Sequence, residues 1–228
     1  MQSSGRSDKQ GGVAGDETLP PGGYRVGNPR WEPWSPADVL TRLRAVTAPW
    51  YIAAGWALDL FRGEQTREHE DTEIGLPSTA EAFGQVRAAL AGCQFEVVGS
   101  GTFWPIDSPA FEVMHQTWVS ETGPPGPDGQ AVRVYRLDVF REPCQHGRWV
   151  CRRDDTIVLP YEQIIRVGAG GVPYLAPQFV LLFKAKANRP KDQADFDGVL
   201  PLLAPGERAW LAATLRRVHP GHQWLASL

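Results

Sequence analysis

The stretch from residue 50 to residue 77 restricts this chain to few folds. A short apolar run, Trp50-Tyr51-Ile52-Ala53-Ala54, stops at Gly55 and reads as a buried strand. Residues 56–61 then read as a short helix closed by Gly63. A polar loop over residues 64–70 leads into a second strand, residues 71–76, halted by Pro77. Side chains alternate faces along a strand, so Asp71 and Glu73 share one face and Thr72, Ile74 and Leu76 take the core face. Two carboxylates placed side by side repel each other. A hard divalent cation such as Mg²⁺, which favours a few carboxylates plus phosphate oxygens, relieves that repulsion. Gly55, at the preceding strand-to-helix turn, is expected to let backbone N–H groups and the helix N-terminus approach a phosphate. A cation site facing an anion site is the arrangement that phosphoryl or nucleotidyl transfer requires.

A third acid would complete such a site. Asp138 lies in Arg136-Leu137-Asp138-Val139-Phe140, on an alternating strand expected over residues 132–140. Beside Asp71 it would ligate a metal or take the proton of an attacking hydroxyl. The competing reading pairs it with Arg136 or Arg133, and Asp107 and Glu112 are the alternatives for the third acid.

The remaining pattern is a mixed α/β (α+β) one. Residues 1–30 hold many Gly and Pro and few large apolar side chains, so a disordered tail is expected there. Residues 31–228 form the domain, with a sheet core over about 34–160 and a helical part over about 175–228. Ser35 is expected to cap a helix with Pro36 at its first position. Residues 80–90 read as helix and 95–98 and 156–159 as strand. The Gly/Pro-rich run 123–129 reads as loop. Helices are expected over 178–187, from Pro190 through Leu203, and over 207–218.

Within this frame the run Trp56-Ala57-Leu58-Asp59-Leu60-Phe61-Arg62-Gly63-Glu64-Gln65-Thr66-Arg67-Glu68-His69-Glu70-Asp71-Thr72-Glu73 resembles the signature of aminoglycoside 2''-adenylyltransferases, a family of the DNA polymerase beta-type nucleotidyltransferase superfamily. The runs Leu181-Leu182-Phe183-Lys184-Ala185-Lys186 and Arg189-Pro190-Lys191-Asp192-Gln193-Ala194-Asp195-Phe196 resemble the same family's C-terminal half and follow in the expected order. The resemblance implies the nucleotidyltransferase fold, ATP and Mg²⁺, and transfer of AMP to a hydroxyl of a small molecule, an aminoglycoside, with antibiotic resistance as the associated role. It casts Asp71, Glu73 and Asp138 as metal-binding and catalytic acids and Gly55 as the phosphate-loop glycine. Trp56, Arg67, His69, Lys184, Lys186 and Lys191 become nucleotide or phosphate contacts. The family usually has two glycines before Trp56; here the first is Ala54, whose methyl is expected to narrow the phosphate approach. Glu73 stands where Asp is usual, and Thr72 replaces an aliphatic residue. Two other readings stay open: a nucleotidyltransferase with another acceptor (a lincosamide, a metabolite or a protein hydroxyl), and a non-catalytic binder of nucleotide, which Ala54 favours.

Composition limits the partners. The formal charge is -3, with 23 Lys+Arg against 26 Asp+Glu, so no basic footprint for nucleic acid is visible. No apolar run is long enough for a membrane helix, and the N-terminus lacks a signal-peptide core, so a cytoplasmic protein, monomer or homodimer, is expected. A polycationic acceptor would want an acidic pocket, for which Glu64, Glu68, Glu70 and Glu112 are available. The three cysteines have no disulfide framework, and Cys144, His146 and Cys151 fit no standard zinc spacing. His219 and His222 read as packing or turn residues, and the nine tryptophans as core and pocket walls.

Overall fold

The computed structural model describes residues 19–125, 129, 131–187 and 189–228. In chain order, β1 (Arg30–Trp31) precedes α1 (Pro36–Arg42). Ser35 starts α1: its side chain accepts from the Asp38 backbone N–H, and the Asp38 side chain caps Ser35 in return. Next come β2 (Tyr51–Ile52) and α2 (Ala54–Arg62), which Gly63 closes in the left-handed conformation. The run expected as strand over 50–54 is shorter because α2 begins at Ala54. β3 (Glu73–Pro77) leads to α3 (Ala80–Ala89), capped by Thr79. Then follow β4 (Gln94–Gly99), β5 (Thr102–Pro105), α4 (Ala110–Val113), β6 (Gln116–Pro125) and β7 (Ala131–Glu142). A small separate sheet holds β8 (Cys144–Gln145), β9 (Arg148–Cys151) and β10 (Asp154–Leu159). The chain ends with α5 (Tyr161–Ile164), β11 (Ile165–Val167), β12 (Pro173–Leu175), α6 (Pro177–Lys184), α7 (Pro190–Val199) and α8 (Pro205–Val218).

Among the described residues nine strands form the main sheet, in the order β11-β12-β2-β3-β7-β6-β4-β5, with β1 added beside the first half of β7. The centre is mixed: β3 runs parallel to β7, and β6 runs antiparallel to it. The fold is therefore the expected mixed α/β one, consistent with a nucleotidyltransferase core. Three features are not legible in the sequence. β5 and β6 carry no clear strand signal. β6 continues through Gly123-Pro124-Pro125, which reads as loop, because a register shift between Thr122 and Pro125 removes the ladder bonds that a proline cannot make. Strands also continue to Leu175, since β12 pairs with β2.

One apolar cluster fills the space between the sheet and the helices. Ile52, Ile74, Leu76, Leu137 and Val139 come from the strands, and Val180, Leu181, Leu211 and Leu215 from α6 and α8. Thr72 reaches this core without penalty, since its hydroxyl donates to the Trp34 carbonyl at 2.6 Å. Gly75 is needed in β3 because the Tyr51 ring lies where its Cβ would stand. A second cluster, Val98, Phe103, Trp118 and Tyr135, is covered by Val26 and Trp31. Of the tail expected over 1–30, residues 1–18 lie outside the described residues. Tyr24 bridges Phe103, and the Pro20 carbonyl accepts from Trp104 Nε1 at 2.9 Å. No helix among the described residues is long and apolar enough to cross a membrane.

Candidate active site

β3 and β7 create the site by their register. Glu73 pairs with Asp138, and the Asp138 backbone N–H donates to the Thr72 carbonyl at 2.9 Å. Neighbouring residues of parallel strands point the same way, so this register sets Glu73 beside Asp138 on one face. Asp71, two residues earlier, joins them. One carboxylate oxygen from each of Asp71, Glu73 and Asp138 lies within 4.8 Å of the others. Among the described residues this is the only group of three or more His, Cys, Asp or Glu side chains so placed.

Asp138 is 1% exposed, whereas Asp71 and Glu73 are half-buried. A buried carboxylate needs donors, and the Gln116 amide supplies one to Asp138 Oδ2 at 2.6 Å. Nothing in the sequence points to Gln116, which lies 22 residues away and reaches Asp138 only through the β6–β7 pairing. The arginines of the competing pairing bind other acids. Arg136 bonds Glu121 at 2.8 Å and Glu32 at 3.1 Å, and Arg133 pairs with Glu96. Asp107 and Glu112 are exposed and lie outside the cluster.

Two cations border the acids. Arg189 senses the charges of Asp71 and Glu73, although its direct bond is to Asp192 at 2.7 Å, the main cause of its raised pKa. Arg152 senses Glu73 and is held by Glu142 at 2.8 Å. Three hard oxygen donors beside guanidinium groups form a donor set suited to Mg²⁺ with bound phosphates.

Residues 37–103 match the family described as aminoglycoside-2''-adenylyltransferase. Over those residues the chain is similar to the aminoglycoside adenylyltransferases. That stretch contains Gly55, Arg67, His69, Asp71 and Glu73, and its family is one of nucleotidyltransferases. No curated protein matches. Among solved structures, ANT(2")-Ia in complex with adenylyl-2"-tobramycin is 15% identical at TM-score 0.47, covering 79% of this chain and 97% of that one. The lincomycin-bound lincosamide adenylyltransferase LnuA is 14% identical at TM-score 0.48, covering 72% and 94%. An antigenic nucleotidyltransferase-like protein from Paracoccidioides brasiliensis is 18% identical at TM-score 0.42, covering 81% and 86%.

Gly55 makes room for two side chains of the loop that follows α2. A Cβ there would stand 2.6 Å from His69 Cε1 and against the Arg67 guanidinium. Both side chains therefore lie over the start of α2. His69 is fixed: its Nε2 lies 2.5 Å from Asp59 Oδ2, and its ring lies tilted against Trp56 with centroids 4.4 Å apart. Burial pushes the His69 pKa down, against the opposing pull of Asp59. Asp59, buried on α2 and also bonded by the Thr66 hydroxyl at 2.6 Å, carries no sequence signal of this role. Arg67 is bonded to Asp195 at 3.3 Å.

Ala54, the substitution for glycine, has φ 49, a left-handed conformation that a Cβ disfavours. The strain costs about 1–2 kcal/mol, part of which glycine's larger unfolded-state entropy offsets. Ala54→Gly is expected to raise Tm by about 2–4 °C, a net gain of about 1 kcal/mol. A circular-dichroism melt checks this, and an equal or lower Tm would mean that the turn stores no strain.

The lysines separate. Lys184 is buried, its Nζ 3.1 Å from Asp192 and 2.8 Å from Asp195, so it neutralises two carboxylates inside the protein. Lys186 is exposed and lies close enough to Arg153 and Arg152 for their charges, after burial, to lower its pKa. Lys191 is half-buried in the first turn of α7. Glu64, Glu68 and Glu70 are exposed, and Glu64 pairs with Arg62. His146 and Gly147, both at positive φ, form the tight turn between β8 and β9, which explains that Cys-x-His run without a metal. His222 Nδ1 accepts from the Trp224 backbone N–H at 3.2 Å, a packing role as expected.

Proposed function

We propose that this chain transfers AMP from Mg²⁺-ATP to a hydroxyl of a small molecule, with an aminoglycoside as the first acceptor to test, in the cytoplasm where Mg²⁺-ATP is at hand. The observation that carries this reading is the Glu73–Asp138 register, which gathers three carboxylates at one end of two parallel strands. The family match over residues 37–103 supports the adenylyl group and the acceptor class.

Asp71, Glu73 and Asp138 would hold the metal. Bound there, a divalent cation would supply positive charge to the phosphate oxygens as charge builds on them. Arg152 and Arg189, beside the acids, would add fixed charge for the triphosphate. The acceptor oxygen forms its bond to the α-phosphorus as the α–β bridging P–O bond breaks. The electron pair leaves on pyrophosphate, and the hydroxyl proton passes to Asp138, whose carboxylate Gln116 holds in place. Arg67 and His69 would order the start of α2 beside the nucleotide.

Pyrophosphate release with Mg²⁺-ATP, measured across aminoglycosides for the wild type and Asp71→Asn, tests the proposal. Release with one acceptor, reduced about 10²-fold or more by the substitution, is the expected result. Release only with a lincosamide or another acceptor would correct the substrate class. Mg²⁺-ATP binding with no release from any acceptor would favour a non-catalytic binder.

A further inference from the structure

The turn between β9 and β10 carries two adjacent arginines, neither of which stands out in the sequence. Both guanidinium groups lie over the Phe183 ring of α6, at 5.2 Å for Arg152 and 5.3 Å for Arg153. Arg152 is matched by Glu142, with bonds of 2.8 and 3.0 Å. Arg153 is not matched in this way. Among the described residues no acid forms an ion pair with it, and its Nε is buried without a hydrogen-bond partner. Its strongest charged neighbour is Arg152, a like charge, and Glu142 acts on it more weakly.

More positive charge collects at the same place. Lys186, just beyond α6, senses both Arg153 and Arg152. His219, at the end of α8, senses Arg153 and Lys186. Burial and this mutual repulsion lower the pKa of Arg153, Lys186 and His219 alike. The β9–β10 turn and the end of α6 thus bring cations together, and an anion there would offset the repulsion between Arg152 and Arg153 and favour the protonated form of His219. Arg152 also senses the charge of Glu73, one of the three acids.

We infer that Arg153, with Lys186 and His219 beside it, is the seat for the terminal phosphates of the nucleotide. This rests on the nucleotidyltransferase reading and extends it to the leaving group. The carboxylates would take the metal and the α-phosphate region, while Arg153 donates to the oxygens that depart as pyrophosphate. A guanidinium stacked on Phe183 is held in orientation, which suits bidentate binding of a phosphate.

The experiment is calorimetric titration of the full chain with ATP, inorganic tripolyphosphate and AMP, each with Mg²⁺, for the wild type, Arg153→Ala and Arg153→Lys. AMP is the control because it lacks the terminal phosphates. Arg153→Ala is expected to weaken ATP and tripolyphosphate about 10- to 100-fold and to leave AMP within about twofold. Arg153→Lys is expected to fall between the two. Equal affinity of wild type and Arg153→Ala for tripolyphosphate would overturn the assignment. So would a parallel loss for AMP and ATP, which would mean that Arg153 only packs on Phe183. Should the alanine variant fail to fold, Arg153→Gln, which keeps the stem over Phe183, takes its place under the same criteria. A wild type that binds none of the three would overturn the nucleotidyltransferase reading itself.

Discussion

Asp138→Asn lowers nucleotidyl transfer by about 10²–10⁴-fold while the protein stays folded. The change keeps the side chain's size and removes one charge from a group of three carboxylates within 4.8 Å of one another. Asp138 is 1% exposed and stands opposite Glu73. Stability should move the other way. Without metal, the wild type carries the repulsion of three neighbouring acids and the variant that of two, so the Asp138→Asn protein should have an equal or higher Tm. With Mg²⁺ the order should reverse, because an ion that binds the folded state alone stabilises it by mass action and the variant forfeits a ligand. Steady-state pyrophosphate release, paired with melts with and without MgCl₂, checks both halves. Undiminished transfer by the variant would remove Asp138 from the chemistry. An unchanged Mg²⁺-dependent rise in Tm would remove it from the metal site.

Lys184→Met destabilises the fold by about 3–5 kcal/mol, a fall in Tm of about 6–20 °C. Lys184 lies between Asp192 and Asp195, all three buried, and Asp195 also holds Arg67 over Gly55. Methionine fills much of the same volume, so the loss is that of the charge, which leaves the carboxylates short of a cation in a poorly solvated place. The pH dependence gives the sign. Burial raises the pKa of Asp192, but Arg189 and Lys184 outweigh it and the net shift is downward. Burial likewise raises that of Asp195, and Lys184 and Arg67 bring it down. A carboxylate with a depressed folded pKa adds stability that is present above its unfolded value, near 4, and is lost as pH falls through the folded value. The penalty of Lys184→Met should therefore be full at pH 7 and shrink below about pH 4, where the acids protonate and need no partner. Denaturant melts of both proteins from pH 7 to pH 3 measure this. A gap that stays constant with pH would mean that packing, not charge, was lost.

These two positions also show where reading a sequence stops. Asp138 is legible because a lone acid between apolar neighbours in a strand is unusual. Lys184 is cast as a phosphate contact by the resemblance, and the competing reading is a lysine extending from an apolar helix to solvent. Its burial follows from α7 folding back over α6, which brings Asp192 and Asp195 onto it. No local pattern carries that information. Gln116 and Arg153 escape a sequence reading for the same reason: a glutamine at a strand start or an arginine in a turn means little until its neighbours in space are known.

Local periodicity and motif order, then, determined the elements that carry the acids, the sharing of one face by Asp71 and Glu73, the capped start of α1 at Ser35 and the mixed α/β class. All of these depend on interactions within a few residues along the chain. The tertiary structure decided what depends on strand register and helix docking. It placed Glu73 opposite Asp138, set Gln116 on that carboxylate, laid Arg67 and His69 over Gly55 and grouped Arg153 with Lys186 and His219. Register is set by many weak contacts summed along β3, β6 and β7, so a single residue's identity does not reveal it, and a slip by one residue would turn Asp138 to the opposite face.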